Sequence, residues 1–175
     1  MLEFCPNELD TKTLHQYLLS GIGPRPIALA STIDQNGNKN LSPFSFFNIF
    51  SAKPPIAIFS PARRVRNNTT KDTLENIKKT KEVVINIVNY KLTEQTSLTS
   101  CEYPKKVDEF IKSGLTAIKS KKIRPFRVQE SPIQMECKVN QIIELGKNGG
   151  AGNLVICEII LIHIKKNILK KNNTI

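Results

Sequence analysis

The sequence has no tryptophan, only two histidines, and four cysteines with no C-x-x-C pair among them. Cys5, Cys101, Cys137 and Cys157 lie far apart, and neither His15 nor His163 stands near one of them. A zinc site draws nitrogen and sulfur ligands from clustered positions, so no metal is expected and the thiols are expected to be reduced and partly buried. Hydrolase chemistry is equally short of parts, since there is no G-x-S-x-G and histidine is too scarce to supply a base readily. No apolar run approaches the roughly 18–20 residues that a membrane span needs. Glu3, Pro6, Glu8 and Asp10 interrupt the first ten positions, which lack the basic start and apolar centre of a secretory signal. A protein of the cytoplasm, with no membrane partner, is therefore expected. Glycine is concentrated in one stretch, Gly146 to Gly152, which does not lead from a strand into a helix and lacks the Lys-Ser/Thr ending of a phosphate loop. It is expected to be a plain strand-to-strand connection.

What is present fits one domain over residues 1–175, with a helical lead-in at 1–20 and a polar tail at 167–175; 39% hydrophobic content is enough for a core. The net charge of +11 comes mostly from dispersed lysines such as Lys78-Lys79, Lys105-Lys106, Lys121-Lys122 and Lys170-Lys171. Nucleic-acid readers favour arginine and exposed aromatics, and this chain has few arginines. The charge is read as a solubilising, anion-attracting background; a basic nucleic-acid-binding barrel is the remote alternative, and no nucleic-acid partner is expected.

Leu14, Tyr17 and Leu18 recur at helical spacing after Asp10-Thr11, and Gly21 to Pro26 breaks that helix. Strands are expected over Ile27–Ile33 and from Asn40 into Phe46, joined by the Asn36-Gly37 turn. Lys53-Pro-Pro precedes a strand at Ile56–Phe59. A basic loop with Arg63, Arg64 and Arg66 leads to Thr69-Thr70, an expected N-cap, and to a helix burying Leu74 and Ile77. A β-branched strand follows at Glu82–Val88, then helical segments around Leu92–Leu98 and Lys105–Lys112, a loop at Ser120–Glu130, and long strands at Ile133–Leu145 and Leu154–Ile164. Hairpin-joined strands with helices inserted between them suit an antiparallel barrel better than a doubly wound sheet.

Two motifs carry chemistry. Lys71-Asp72-Thr73 stands at a helix start, where unpaired amides and the positive end of the dipole favour an anion; the lysine adds charge and the threonine a hydroxyl, as a phosphate monoester requires. Ordinary capping by Thr70 explains the same residues. Ser42-Pro-Phe-Ser-Phe-Phe-Asn48 places a proline at a strand end, so the backbone is expected to leave regular pairing near Pro43 and expose groups that could meet a flavin edge. An edge strand with core phenylalanines is the plainer account.

Taken in order, Arg25-Pro26 to Ser31-Thr32, Gly37 to Ser45, Pro54-Pro55, Lys71-Asp72-Thr73 with Asn76-Ile77, and Glu136-Cys137 resemble the flavin reductase-like, flavoredoxin-type family of FMN-binding split barrels, from about residue 20 to 165. The resemblance implies a mainly β fold, a Greek-key split barrel with inserted helices, that forms a homodimer with FMN near the subunit interface. It implies that Ser31 and Thr32 contact the phosphate or ribityl end. Ser42, Pro43, Phe44 and Ser45 would line the isoalloxazine ring, and Lys71, Asp72 and Thr73 would hold the phosphate. Asn48 and Ser51 fall near the cofactor, and the arginines of the basic loop, Arg63 and Arg66 especially, would assist with phosphate or a nicotinamide nucleotide. The implied activity is hydride transfer from NADH or NADPH to flavin, with a partner oxygenase or another acceptor receiving the electrons. A non-enzymatic FMN carrier or store is the alternative. Family members continue past the last strand into a segment that packs against the dimer, so a chain stopping at Ile175 is expected to bind flavin more weakly or to lack part of the substrate pocket.

Overall fold

The computed structural model describes residues 1–104, 107–172 and 174. After helix α1 (Thr11–Gly21) come strands β1 (Ala28–Ile33), β2 (Lys39–Phe44), β3 (Phe47–Ala52) and β4 (Pro55–Phe59), then helix α2 (Asp72–Thr80) and strand β5 (Glu82–Ile87). Short helices α3 (Thr93–Leu98) and α4 (Glu109–Ser113) precede two-residue strands β6 (Ala117–Ile118) and β7 (Arg127–Val128), and the long pair β8 (Ile133–Glu144) and β9 (Asn153–Ile164) completes the sheet. The main sheet has seven strands in the order β2-β1-β5-β8-β9-β4-β3, every neighbour antiparallel.

That order leaves β2 and β3 as its two edges, yet the Phe44 ring of β2 meets the Phe59 ring of β4 at 5.3 Å between centroids. Strands from opposite ends of the order touch because the sheet curls upon itself. It is a split barrel: closed by side chains in its interior and unpaired between β2 and β3. Phe44, Phe59, Leu74, Ile77, Ile85 and Val155 are among the residues filling that interior.

Strand β1 shows why the chain needs its helices. All six of its residues are buried, although alternate side chains face opposite sides of a sheet. Ala28 and Ala30 point into the barrel; Leu29 belongs to a second cluster with Leu41, Leu92, Phe110, Leu115 and Val128, formed where α4 and β7 cover the outer face. Asn86, fully buried, ties that layer down by donating to Leu29 O and accepting from Val128 N, both at 2.9 Å. Glu136, also fully buried, accepts from the amides of Lys121 at 2.8 Å and Lys122 at 2.7 Å, with His163 Nε2 at 2.7 Å. Burial alone would raise its pKa, but those hydrogen bonds outweigh it and hold the carboxyl below its ordinary value.

Several expectations are corrected. The strand expected to run from Asn40 into Phe46 stops at Phe44, and Phe47–Ala52 forms a separate strand that pairs with β4. Pairing does not leave register at Pro43, which lies opposite Leu29 within β2. The reason is position. Leu41 N donates outward to Glu109 Oε2 at 3.1 Å, so Pro43, two residues on, presents the same outer edge, where the ladder asks for no donor. The segment read as loop over Ser120–Glu130 contains β7, too short for periodicity to reveal. The helix expected over Lys105–Lys112 runs Glu109–Ser113, and Lys105 and Lys106 lie outside the described residues, as do Asn173 and Ile175 of the tail. Cys137 and Cys157 are buried in the barrel, where burial raises both thiols, Cys157 to about 12, whereas Cys5 and Cys101 are exposed. No helix among the described residues is long and apolar enough to cross a membrane.

Candidate functional site

Helix α2 starts without a side-chain cap. Lys71 occupies the N-cap position and makes no capping hydrogen bond. Thr70, the expected cap, instead donates its hydroxyl to Glu75 Oε1 at 2.5 Å, and Thr69 donates to Asn67 Oδ1 at 2.7 Å. The first-turn amides therefore keep no side-chain acceptor, and the positive end of the dipole is uncompensated by a cap. Ordinary capping by Thr70, the simpler account of the sequence, is not what the chain does.

A cavity of about 110 Å³ opens there, lined by Ser42, Lys71, Asp72 and Thr73 together with Asn40, Arg64, Glu109 and the segment Thr99–Tyr103. Lys71 Nζ sits 5.2 Å from the centre of the Phe44 ring. Its pKa is lowered, first by burial and then by the Arg64 guanidinium, with Glu102 opposing. Two cations held close in a half-buried pocket favour an anion, and Asp72 already answers one of them, its Oδ2 lying 3.8 Å from Arg64 Nη2. Glu102 stands in part for that anion: Arg64 Nε lies 3.3 Å from its Oε1 and Arg66 Nη2 3.0 Å from its Oε2. Glu109 on the opposite wall has its pKa raised by burial above all, its own amide and that of Leu41 opposing.

Thr73 is aimed by Asn40, which links it to Thr32, and Asn76 holds Thr32 in turn. Asn40 Nδ2 donates to Thr73 Oγ1 at 2.9 Å and to Thr32 Oγ1 at 3.2 Å, and Asn76 Nδ2 donates to Thr32 Oγ1 at 3.1 Å. The network joins β1, β2 and α2. Thr32 is fully buried, so it supports the cavity wall from behind instead of lining it. Ser31 is fully buried too, and its hydroxyl has no partner among the described residues. Of the basic loop, Arg64 faces the cavity. Arg63 is turned onto Asn68, whose Oδ1 it reaches at 2.8 Å, and Arg66 is engaged by Glu102 at the exposed rim.

The remaining candidates lie on a second, apolar feature. Phe44 is a core residue, 6% exposed, with its ring inside the barrel; Pro43 and Ser45 are half-buried on either side of it. Asn48 lines a cavity of about 250 Å³ walled by Phe46, Phe47, Phe50, Ile58 and Phe59. Ser51 is half-buried on β3 opposite Ile56. The structure thus brings Ser42, Lys71, Asp72 and Thr73 to one cavity and sets Asn48 on another, with Phe44 between Lys71 and Phe59. Among the basic-loop arginines the emphasis on Arg63 and Arg66 is corrected to Arg64, and Asn40 and Glu109 were missed because nothing local marks them. Their signal is the pairing of β2 with β1 and the docking of α4 on the β2 edge.

A split barrel with an uncapped helix start, a lysine and an arginine around a small polar cavity at its rim offers a surface suited to an anionic group. The sequence profile of the flavin reductase like domain matches residues 20–173, and the chain belongs to that family. Flavin is therefore its cofactor class and flavin-linked oxidoreduction its chemistry. An uncharacterised protein of Aquifex aeolicus is 36% identical over 171 residues, covering 98% of this chain and 85% of the relative. Among solved structures, nitrilotriacetate monooxygenase component B from Bacillus cereus superposes with a TM-score of 0.91 at 31% identity, covering 98% of this chain and 85% of that one. The 2-nitrobenzoate 2-nitroreductase of Pseudomonas fluorescens follows at 0.85 and 25% identity, covering 98% and 80%.

Proposed function

We propose that the chain is an FMN-dependent oxidoreductase, a homodimer that takes hydride from NADH or NADPH into its flavin. The observation that carries the FMN assignment is the uncapped start of α2 beside Lys71 and Arg64. A phosphate monoester matches it in charge, size and hydrogen-bonding capacity. The residues fit the group: Lys71, Arg64, the Thr73 hydroxyl and the first-turn amides would hold the phosphate, with Asn40 and Asn76 keeping Thr73 and Thr32 in place. Bound flavin supplies the hydride and electron chemistry, which leaves the protein to bind, orient and exclude water. The scarcity of histidine is no obstacle to such a role.

Size supports the dimer. A cavity of about 110 Å³ is far below the roughly 300 Å³ at which pockets for drug-sized ligands begin, so a tricyclic ring would extend past it toward the β2–β3 rim. Phe46, Ile49 and Phe50 are exposed there, and Ile160, Ile162 and Ile164 are exposed along β9. Uncovered apolar surface on this scale marks an interface, and a second copy supplies the missing wall. The electrons would pass to a partner oxygenase or another acceptor, a step that the similarity to a monooxygenase component B supports.

The test is spectroscopic. Purified protein reconstituted with FMN is expected to show a bound-flavin spectrum, and NADH or NADPH added without oxygen is expected to bleach it. Absence of flavin absorbance after reconstitution sinks the proposal. Flavin that binds and stays oxidised with both nicotinamides sinks the reductase half alone and favours a non-enzymatic FMN carrier.

A further inference from the structure

The glycine-rich hairpin between β8 and β9 has no role in the site as drawn above, yet it is pressed against the loop that carries Arg64. A Cβ added at Gly149 would lie 2.8 Å from Val65 Cα, 3.0 Å from Val65 O and 3.1 Å from Arg64 O. All three are backbone atoms, so no side chain can swing aside to make room. Gly149 is not in the left-handed region, and only the space beside it demands glycine there. Gly152 differs, since a Cβ there would meet the side-chain Oγ of Ser60 at 2.6 Å, which can rotate away.

Hydrogen bonds stitch the two loops together. Arg63 N donates to Ala151 O at 2.9 Å and Gly150 N returns to Arg63 O at 3.0 Å. Asn68 Nδ2 donates to Lys147 O at 2.9 Å, and the buried Asn153 donates to Pro61 O at 2.9 Å. Arg64 sits inside this clamp, with its own amide donating to Thr69 O at 2.8 Å and its carbonyl accepting from Asn68 N at 2.9 Å. Its guanidinium then reaches the cavity where Lys71 and Asp72 stand. The backbone position of Arg64 is set from one side by the hairpin.

We propose that Gly149 is a positioning residue for phosphate binding, the point at which the β8–β9 hairpin fixes how far Arg64 reaches into the cavity. The proposal rests on the FMN assignment. A methyl group at 149 must push the 63–65 backbone away by several tenths of an ångström, and the guanidinium moves with it. Charge-assisted hydrogen bonds lose strength steeply with misplacement, so the loss falls on the phosphate and not on the ring.

Gly149→Ala should be titrated with FMN and with riboflavin, which carries the same ring and no phosphate, following flavin fluorescence. The FMN Kd is expected to rise roughly tenfold while that of riboflavin stays within about twofold, the loss of a good part of one ionic hydrogen bond. Asn68→Gly keeps the freedom needed at φ 54° and removes both the Nδ2 bond to Lys147 O and the Arg63 Nε bond to Oδ1; it should shift FMN alone by roughly threefold, and it carries the test if Gly149→Ala does not fold. Equal weakening of both flavins, or no weakening in either variant, overturns the proposal. Wild-type protein that binds neither flavin overturns the FMN assignment itself, and this proposal with it.

Discussion

The two ends of the candidate flavin site are built on different principles. The phosphate end is complete within one chain: an uncapped helix start, Lys71 and Arg64 in a cavity of about 110 Å³, and an Asn40–Thr73–Thr32–Asn76 network behind it. Its interactions are directional and charged, and each has a named donor. The proposed ring end is open. Phe46 and Phe50, 40% and 65% exposed, border an apolar cavity that opens to solvent, and nothing charged fixes a ligand there. On the proposed reading, the difference teaches that recognition and enclosure are separate tasks: the charged end would select the ligand, and covering the ring would fall to a second surface.

Lys71→Ala attacks the stronger end and should have the largest effect. FMN affinity is expected to fall about 50-fold and riboflavin affinity by no more than about threefold, as for loss of a partly desolvated ion pair with phosphate. Equal losses for both ligands would break the division between the ends. Phe50→Asp attacks the other end. It sets a charge in the exposed apolar patch proposed to be covered by a second copy, so sedimentation should show monomer in place of dimer, with FMN and riboflavin weakened alike by roughly tenfold. A wild-type chain that is already monomeric would show that the ring end is covered in some other way.

Asn40→Ala probes the support of Thr73 with the charges untouched. A loss of roughly threefold to fivefold in FMN affinity is expected, about 1 kcal/mol, with riboflavin unchanged. The smallest effect is the pH dependence. Lys71 is held below its ordinary value of 10.5 by burial and by Arg64, and a phosphate dianion would raise it again. A group whose pKa rises on binding takes up a proton, so FMN affinity is level between the second pKa of the phosphate, about 6, and the free-state pKa of Lys71, and declines as pH climbs through the latter, beginning earlier than for an ordinary lysine. Titration of riboflavin over the same range should be flat. A parallel decline for riboflavin would place the titrating group at the ring.

Much of the fold was legible because its signals are local. Asn36-Gly37 marks a hairpin, Lys53-Pro54-Pro55 ends a strand, and β-branched runs mark β5, β8 and β9. The break between β2 and β3 was not, because Phe44 to Phe50 reads as one apolar stretch, and only the curl of the sheet sends Phe44 inward and Phe46 out. The cap of α2 misled for a similar reason: Thr70 is a good cap by type, and Glu75 claims its hydroxyl first.

By itself, the sequence determined the antiparallel plan, the inserted helices and the position of Lys71-Asp72-Thr73 at a helix start, since turns, periodicity and N-terminal residues act over a few positions. The tertiary structure decided that this helix start is uncapped, that Arg64 and not Arg63 or Arg66 faces it, and that the glycine at 149 braces the loop behind it. Those outcomes depend on which of several competing partners comes within hydrogen-bond reach, and a distance across the fold is not written in any local stretch of chain.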